Sequence, residues 1–151
     1  MNKVRLLLAD DNAHLLQLLA YLLSDDNQIV GTVPDGKALL IAAAELRPDI
    51  VISDIDMPEV DGLEATRQLR EFLPHTKIIL MSGHDDSKHV AGALASGASA
   101  FVSKGKGGDL RATFNAVIRN VLARTEAEEL VGHGTANWER VLTTRKWSAG
   151  T

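Results

Sequence analysis

The stretch VISDIDMPEVDG, residues 51–62, runs from a β-branched apolar segment into a carboxylate, Asp54, then a second at Asp56, and then a turn built on Pro58 and Gly62. A short run that is apolar on both faces is what a central strand of a helix-covered parallel sheet needs. An acid at the end of such a strand can merely open a turn or cap a helix. Whether it does more depends on what ends the other strands.

Outward from this stretch, short apolar runs alternate five times with segments of helical period, the signature of an α/β fold. The runs are 4–9, 28–33, 49–54, 77–82 and 100–103. Between them, Leu15, Leu18, Leu19 and Leu22 share one helical face, as do Leu110, Phe114, Val117 and Val121, and both stripes are read as core. Asp61 followed by Glu64 has capping-box spacing, so a helix is predicted from near Gly62 to before Pro74. Gly97 is read as the stop of a helix over 87–96, and RPD at 47–49 as the close of the second helix. The expected architecture is a doubly wound, five-stranded parallel sheet of flavodoxin-like type. Residues 1–124 form the domain, and 125–151 a C-terminal helical extension or tail without a complete effector domain.

With 151 residues, the chain has the size of one domain with its own core. Hydrophobic residues at 45% and charged residues at 24% place it among globular sequences, not disordered ones. The absence of cysteine excludes disulfides, thiolate metal sites and a Cys nucleophile. The apolar run at the N-terminus is too short for a signal sequence, and no segment reaches the roughly 18 apolar residues of a membrane span. A cytoplasmic protein without membrane contact is expected. A formal net charge of -4 argues against non-specific nucleic-acid affinity, which comes from neutralising phosphates.

In an open parallel sheet the functional crevice lies at the carboxyl ends of the strands. Here the first strand ends in Asp10 and Asp11, the third in Asp54, the fourth in Ser82, and the fifth in Ser103 and Lys104. Each has an ordinary explanation alone. Together they do not, because like charges some 4 Å apart repel by about 4 kcal/mol at an effective dielectric near 20. A cation must relieve that repulsion, and an oxygen-only ligand set suits Mg²⁺, or Mn²⁺, better than zinc. A hard cation, a lysine and a hydroxyl around one carboxylate make an anion receptor with a nucleophile at its centre. The chemistry that fits is phosphoryl transfer to Asp54, with the metal and Lys104 neutralising the equatorial oxygens and Ser82 donating a hydrogen bond.

Over about residues 3–124 the chain resembles the receiver domain of bacterial two-component response regulators. The resemblance is carried by LLADDN, SDIDMPEVDG, LMSG, ASGASAFVSK and GDL, in the family's order and approximate spacing. It implies that Asp54 is the phospho-acceptor, and that Asp11 and the main-chain carbonyl of Asp56 ligate Mg²⁺ directly while Asp10 acts mainly through metal-bound water. Ser82 would be the switch hydroxyl, with Gly83 beside it at the phosphoryl group, and Lys104 would contact that group. Phe101 takes the place of the aromatic whose rotamer reports activation, and Asp56 and His84 the positions that tune phosphoryl lifetime. The sequence departs from the family at Gly105, where proline is usual after the lysine, and at Phe101, which lacks the hydroxyl of the commoner tyrosine.

The resemblance implies a protein that is not an enzyme in its own right but assists its own phosphorylation and dephosphorylation. The donor would be a sensor histidine kinase, a phosphotransfer protein or a small phosphodonor. Output would pass through protein contacts, including a homodimer through the fourth helix, fifth strand and fifth helix, with no direct DNA binding by this chain. Two other readings stand beside it. LTTRKWSAGT faintly resembles the opening of a NarL/LuxR-type helix-turn-helix domain, so the chain could be the receiver half of a longer DNA-binding regulator. DIDM resembles the nucleophile motif of haloacid-dehalogenase-type phosphatases, but that family needs further acids after its lysine, and only Asp109 follows Lys104 here.

Overall fold

The computed structural model describes residues 2–83, 87–104 and 108–124. Five strands, β1 (Val4–Ala9), β2 (Asn27–Val33), β3 (Ile50–Asp54), β4 (Lys77–Ser82) and β5 (Ala100–Ser103), alternate with five helices. The helices are α1 (Ala13–Leu23), α2 (Gly36–Leu46), α3 (Gly62–Phe72), α4 (Ser87–Ser96) and α5 (Leu110–Ala123). All strand pairs are parallel and the order is β2-β1-β3-β4-β5, the flavodoxin-like order with its reversal between β1 and β3. Among the described residues no helix is long and apolar enough to cross a membrane.

The strands alternate as a doubly wound sheet requires. Leu7, Ala9, Val51, Ile78, Leu80 and Phe101 meet α2, α3 and α4 on one face. Leu6, Leu8, Ile50, Ile52, Ile79, Met81 and Val102 meet α1 and α5 on the other. A β-strand turns successive side chains to opposite faces, so neighbours in sequence belong to different cores, and burying each large aliphatic contributes about 1.5–3 kcal/mol.

The α1 stripe is corrected by one position. Leu16, Leu19 and Leu23 are its buried residues, while Leu18 is 44% exposed and Leu15 only packs at the edge of the core. A helix containing six leucines offers two overlapping apolar stripes, and only packing against β1 and α5 selects between them. The α5 stripe stands, with Phe114, Val117 and Val121 buried and Leu110 packed against them.

Helix ends follow local chemistry. Asn12 caps α1, its side chain accepting from His14 N and Leu15 N, and Asp35 caps α2 by accepting from Ala38 N. Asp61 caps α3 by accepting from Glu64 N at 2.8 Å. The Glu64 carboxylate does not complete the capping box among the described residues: it accepts from Arg67 and Gln68 instead. Gly97, at φ +98, follows α4, where a left-handed residue ends a helix at least cost in glycine. Pairing Arg47 in the left-handed region with Pro48 closes α2.

Candidate functional site

The sheet order sets β1 beside β3 and β3 beside β4, so their carboxyl ends share one edge with that of β5. Asp10, just beyond β1, is 1% exposed. Its Oδ1 accepts a hydrogen bond from Asn12 N at 2.8 Å, the short-range turn that leads into α1. Its Oδ2 lies 2.9 Å from Lys104 Nζ; among the described residues no other donor is aligned on that oxygen. Asp54 ends β3, 4% exposed, with Oδ1 at 3.1 Å from the same ammonium. Asp11 is exposed but still contributes an oxygen to the group. One carboxylate oxygen each from Asp10, Asp11 and Asp54 lies within 4.8 Å of the others.

Lys104 is placed by the sheet ladder. Its main-chain N donates to Ser82 O at 2.8 Å, one step beyond the register pair Ser82 and Ser103. Ser82 is completely buried at the end of β4. Gly83 follows it, exposed, and among the described residues a Cβ there would meet no atom within 4 Å. Phe101 pairs with Leu80 and is completely buried in the core under α4, the inward arrangement that packing alone supports without a hydroxyl.

The loop after β3 curls back on itself. Ile55 N donates to Met81 O and Gly62 N to Ile55 O, which carries the exposed Asp56 past the end of the strand. Two hydrogen-bonding groups in this region were not singled out from the sequence. Ser53 Oγ donates to Asp54 O at 2.9 Å, and Asn12 both caps α1 and hydrogen-bonds Asp10. Asn12 was legible as a cap-forming residue just ahead of a helical pattern; Ser53, facing inward on a buried strand, carried no such signal. His84 and Gly105 lie outside the described residues.

The electrostatics follow from burial and crowding. Burial raises the Asp54 carboxyl to about 6; Lys104 draws it back down, while the charges of Asp10 and Asp56 add to the rise. Burial also works against the Lys104 charge, but its hydrogen bond to Asp10 and the charges of Asp54 and Asp10 outweigh that and hold the ammonium above its ordinary range. Among the described residues, Asp10, Asp11 and Asp54 could hold a cation. With oxygen donors only and one exposed flank, the set suits a hard divalent ion that keeps several waters.

Residues 6–115 match the family model for the response regulator receiver domain. The chain belongs to that family. Its receiver is 41% identical over 108 residues to a protein-glutamate methylesterase/protein-glutamine glutaminase of Nocardioides sp., covering 69% of this chain and 30% of that protein. It is 33% identical to the uncharacterized transcriptional regulatory protein YhcZ of Bacillus subtilis, covering 67% of this chain and 48% of the relative. The chain thus spans half or less of the length of these curated relatives. Among solved structures, the signal receiver domain of the response regulator NarL from Mycobacterium tuberculosis superposes with a TM-score of 0.75 at 29% identity, covering 82% of this chain and all of that one. A chain of the CheX-CheY-BeF3-Mg+2 complex from Borrelia burgdorferi gives a TM-score of 0.73 at 27% identity, covering 80% of this chain and 90% of that one. Family membership sets aside the haloacid-dehalogenase-type reading of DIDM, and places the receiver in two-component signalling.

Proposed function

We propose that this receiver takes a phosphoryl group onto Asp54 and passes the change to protein contacts. The observation that carries this is the strand-end cluster in which a buried carboxylate, two further acids and one lysine converge. The similarity to the CheX-CheY-BeF3-Mg+2 complex supports the same chemistry. Mg²⁺, or Mn²⁺, held by Asp10, Asp11, Asp54 and the main-chain carbonyl of Asp56, would supply positive charge against the incoming phosphoryl oxygens. An Asp54 carboxylate oxygen attacks phosphorus, the bond from phosphorus to the donor's nitrogen or oxygen breaks, and its electron pair leaves with the donor. Lys104 moves with the charge, its ammonium shifting from carboxylate to phosphoryl oxygens. Ser82 and Gly83 stand where the fourth strand meets that group, and Phe101 lies under it. Asp56, and His84 outside the described residues, would tune how long the adduct lasts.

The test is intact mass after treatment with acetyl phosphate. One added phosphoryl group is expected with Mg²⁺ and none in excess chelator; an adduct formed equally well in chelator would sink the reading. Lys104→Ala is expected to slow phosphorylation about 10²–10³-fold, the usual cost of removing one transition-state charge partner. Ser82→Ala is expected to leave phosphorylation nearly intact while weakening the shift of NMR signals around Phe101 on adding a phosphate mimic. Equal shifts in wild type and Ser82→Ala would disprove that coupling.

Upstream, the donor is a sensor histidine kinase or phosphotransfer protein, and the setting is cytoplasmic. Downstream, α4, β5 and α5 form the output face, because Ser82, Phe101 and Lys104 lie along its edge; a homodimer or a partner protein docks there without DNA contact by residues 1–124. The receiver itself is an acceptor and not a catalyst of an outside reaction. A second reading, the input module of a longer DNA-binding regulator, is favoured by the 48% coverage of YhcZ. Light scattering with and without a phosphate mimic and a mobility shift with duplex DNA separate the two.

A further inference from the structure

Ser103, the last residue of β5, is 2% exposed, and its Oγ has no hydrogen-bond partner among the described residues. Nearly all buried hydroxyls are hydrogen-bonded, because taking one out of water without a partner is costly. An alanine would fill this position without that cost, so packing alone does not account for the serine. Its place in the sheet does.

Ser103 pairs in register with Ser82 across β4 and β5, and it precedes Lys104, whose main-chain N carries the same ladder on to Ser82 O. Two residues earlier, the register pair Leu80 and Phe101 lies in the core under α2, α3 and α4, whereas the intervening Met81 and Val102 face α1 and α5. Strand alternation therefore sets both serines on the α4 side of the sheet. Paired strands run about 4.8 Å apart, a gap that two hydroxyls turned towards each other close to a hydrogen bond of about 2.8 Å. Both residues are buried, so bulk water does not compete for that bond. Ser82 already has a partner of its own, and a hydroxyl, with one proton and two lone pairs, can accept from a second group as well.

We propose that Ser103 is a positioning residue for Ser82: once the Ser82 hydroxyl donates a hydrogen bond to a phosphoryl oxygen on Asp54, the Ser103 hydroxyl donates one to Ser82 Oγ. This rests on the reading of Asp54 as the phospho-acceptor and deepens it. Two hydroxyls in series polarise each other, so Ser103 strengthens from behind the bond that Ser82 makes. At rest its hydroxyl is a cost to the fold, and in the phosphorylated chain that cost is relieved. The difference favours the switched state and ties β5, which carries Phe101 on the same face, to events at the end of β3.

The test uses the full chain with Ser103→Ala, Ser103→Thr, Ser82→Ala and the double alanine variant. Intact mass after acetyl phosphate and Mg²⁺ is read first: a wild-type chain that takes up no phosphoryl group would overturn the reading of Asp54 and the relay with it, and every other failure is the relay's alone. Without a phosphate mimic, Ser103→Ala is expected to melt no lower than the wild type, since it loses a hydroxyl that has no partner. At saturating beryllium fluoride with Mg²⁺, NMR signals around Phe101 are expected to show the equilibrium towards the switched state weakened about fivefold in Ser103→Ala, the worth of one hydrogen bond. Ser103→Thr, which keeps the hydroxyl, is expected to restore it. In the Ser82→Ala background, Ser103→Ala is expected to cause no further loss, because the acceptor is gone. A Tm lowered by about 4 °C or more in Ser103→Ala would mean that the hydroxyl is already bonded at rest and would overturn the proposal. So would an unchanged equilibrium, no recovery with threonine, or an equal loss with and without Ser82.

Discussion

Asp54→Asn is expected to take up no phosphoryl group from acetyl phosphate and, in excess chelator at neutral pH, to be more stable than the wild-type chain. The two effects have one cause. Burial first, and the neighbouring Asp10 and Asp56 with it, raise the Asp54 carboxyl from 3.8 to about 6 despite the pull of Lys104. At about 1.4 kcal/mol per pH unit, ionising this group therefore costs the native state about 3 kcal/mol. The sign follows from proton counting: between 3.8 and 6 the folded chain binds more protons at this position than the unfolded chain, so its contribution to stability falls as pH rises through that window. Below the window the two chains should melt alike; above it the asparagine variant should lead by about 2–3 kcal/mol, since the amide keeps the shape and removes the charge. Melting curves across pH 3.5–8 in chelator, at the values set by that window, check it. A difference that does not change with pH would mean that the cost lies in packing. Added Mg²⁺ should narrow the gap by stabilising only the chain that retains the carboxylate.

Gly62→Ala is expected to lower stability by about 3 kcal/mol or more, at the upper end of overpacking effects, and so to lower Tm by about 10 °C in a domain of this size. A Cβ at 62 would lie 2.3 Å from Asp54 O and 2.9 Å from Ile55 Cα, both main chain, where no side-chain rotation offers relief. The helix start must then back away from the strand that ends in Asp54, so phosphorylation should fall together with stability. Gly92→Ala, within α4, is the informative contrast. Among the described residues its Cβ would meet only Leu63 Cδ1, at an ordinary 3.4 Å, and replacing a helical glycine by alanine should stabilise by about 0.5–1 kcal/mol. Equal effects at the two positions, measured by thermal melts, would refute the close-approach account of Gly62.

The elements most legible in the sequence were those specified by a short, strong local signal. Runs such as KIILMS admit one reading as buried strands, and β4 and β5 occur where expected. Pro74 and Gly97 bracket helix ends because each restricts or frees the backbone regardless of what surrounds it. The leucine-rich α1 was misread by one residue because its burial depends on β1 and α5, which no local window contains. The same holds at the site. Strand ends implied that Asp10, Asp54 and Lys104 would converge, since topology alone brings them to one edge. That a single ammonium would bridge Asp10 and Asp54, or that Asn12 would tie Asp10 to the start of α1, depends on angles and distances that only the folded chain has.

That bridge makes the lysine a valence filter. Before any metal arrives, the Lys104 ammonium already acts as the counter-ion of two of the three acids, so a cation that binds them must compete for oxygens that are not vacant in the electrostatic sense. A singly charged ion such as sodium offers the carboxylates no more charge than the ammonium does, and brings a hydration shell that it must partly lose. A doubly charged ion gains roughly twice the Coulomb energy at equal distance and frees the ammonium to face outward, towards an anion. For a cation held by these three acids, selection by charge would thus come before selection by size.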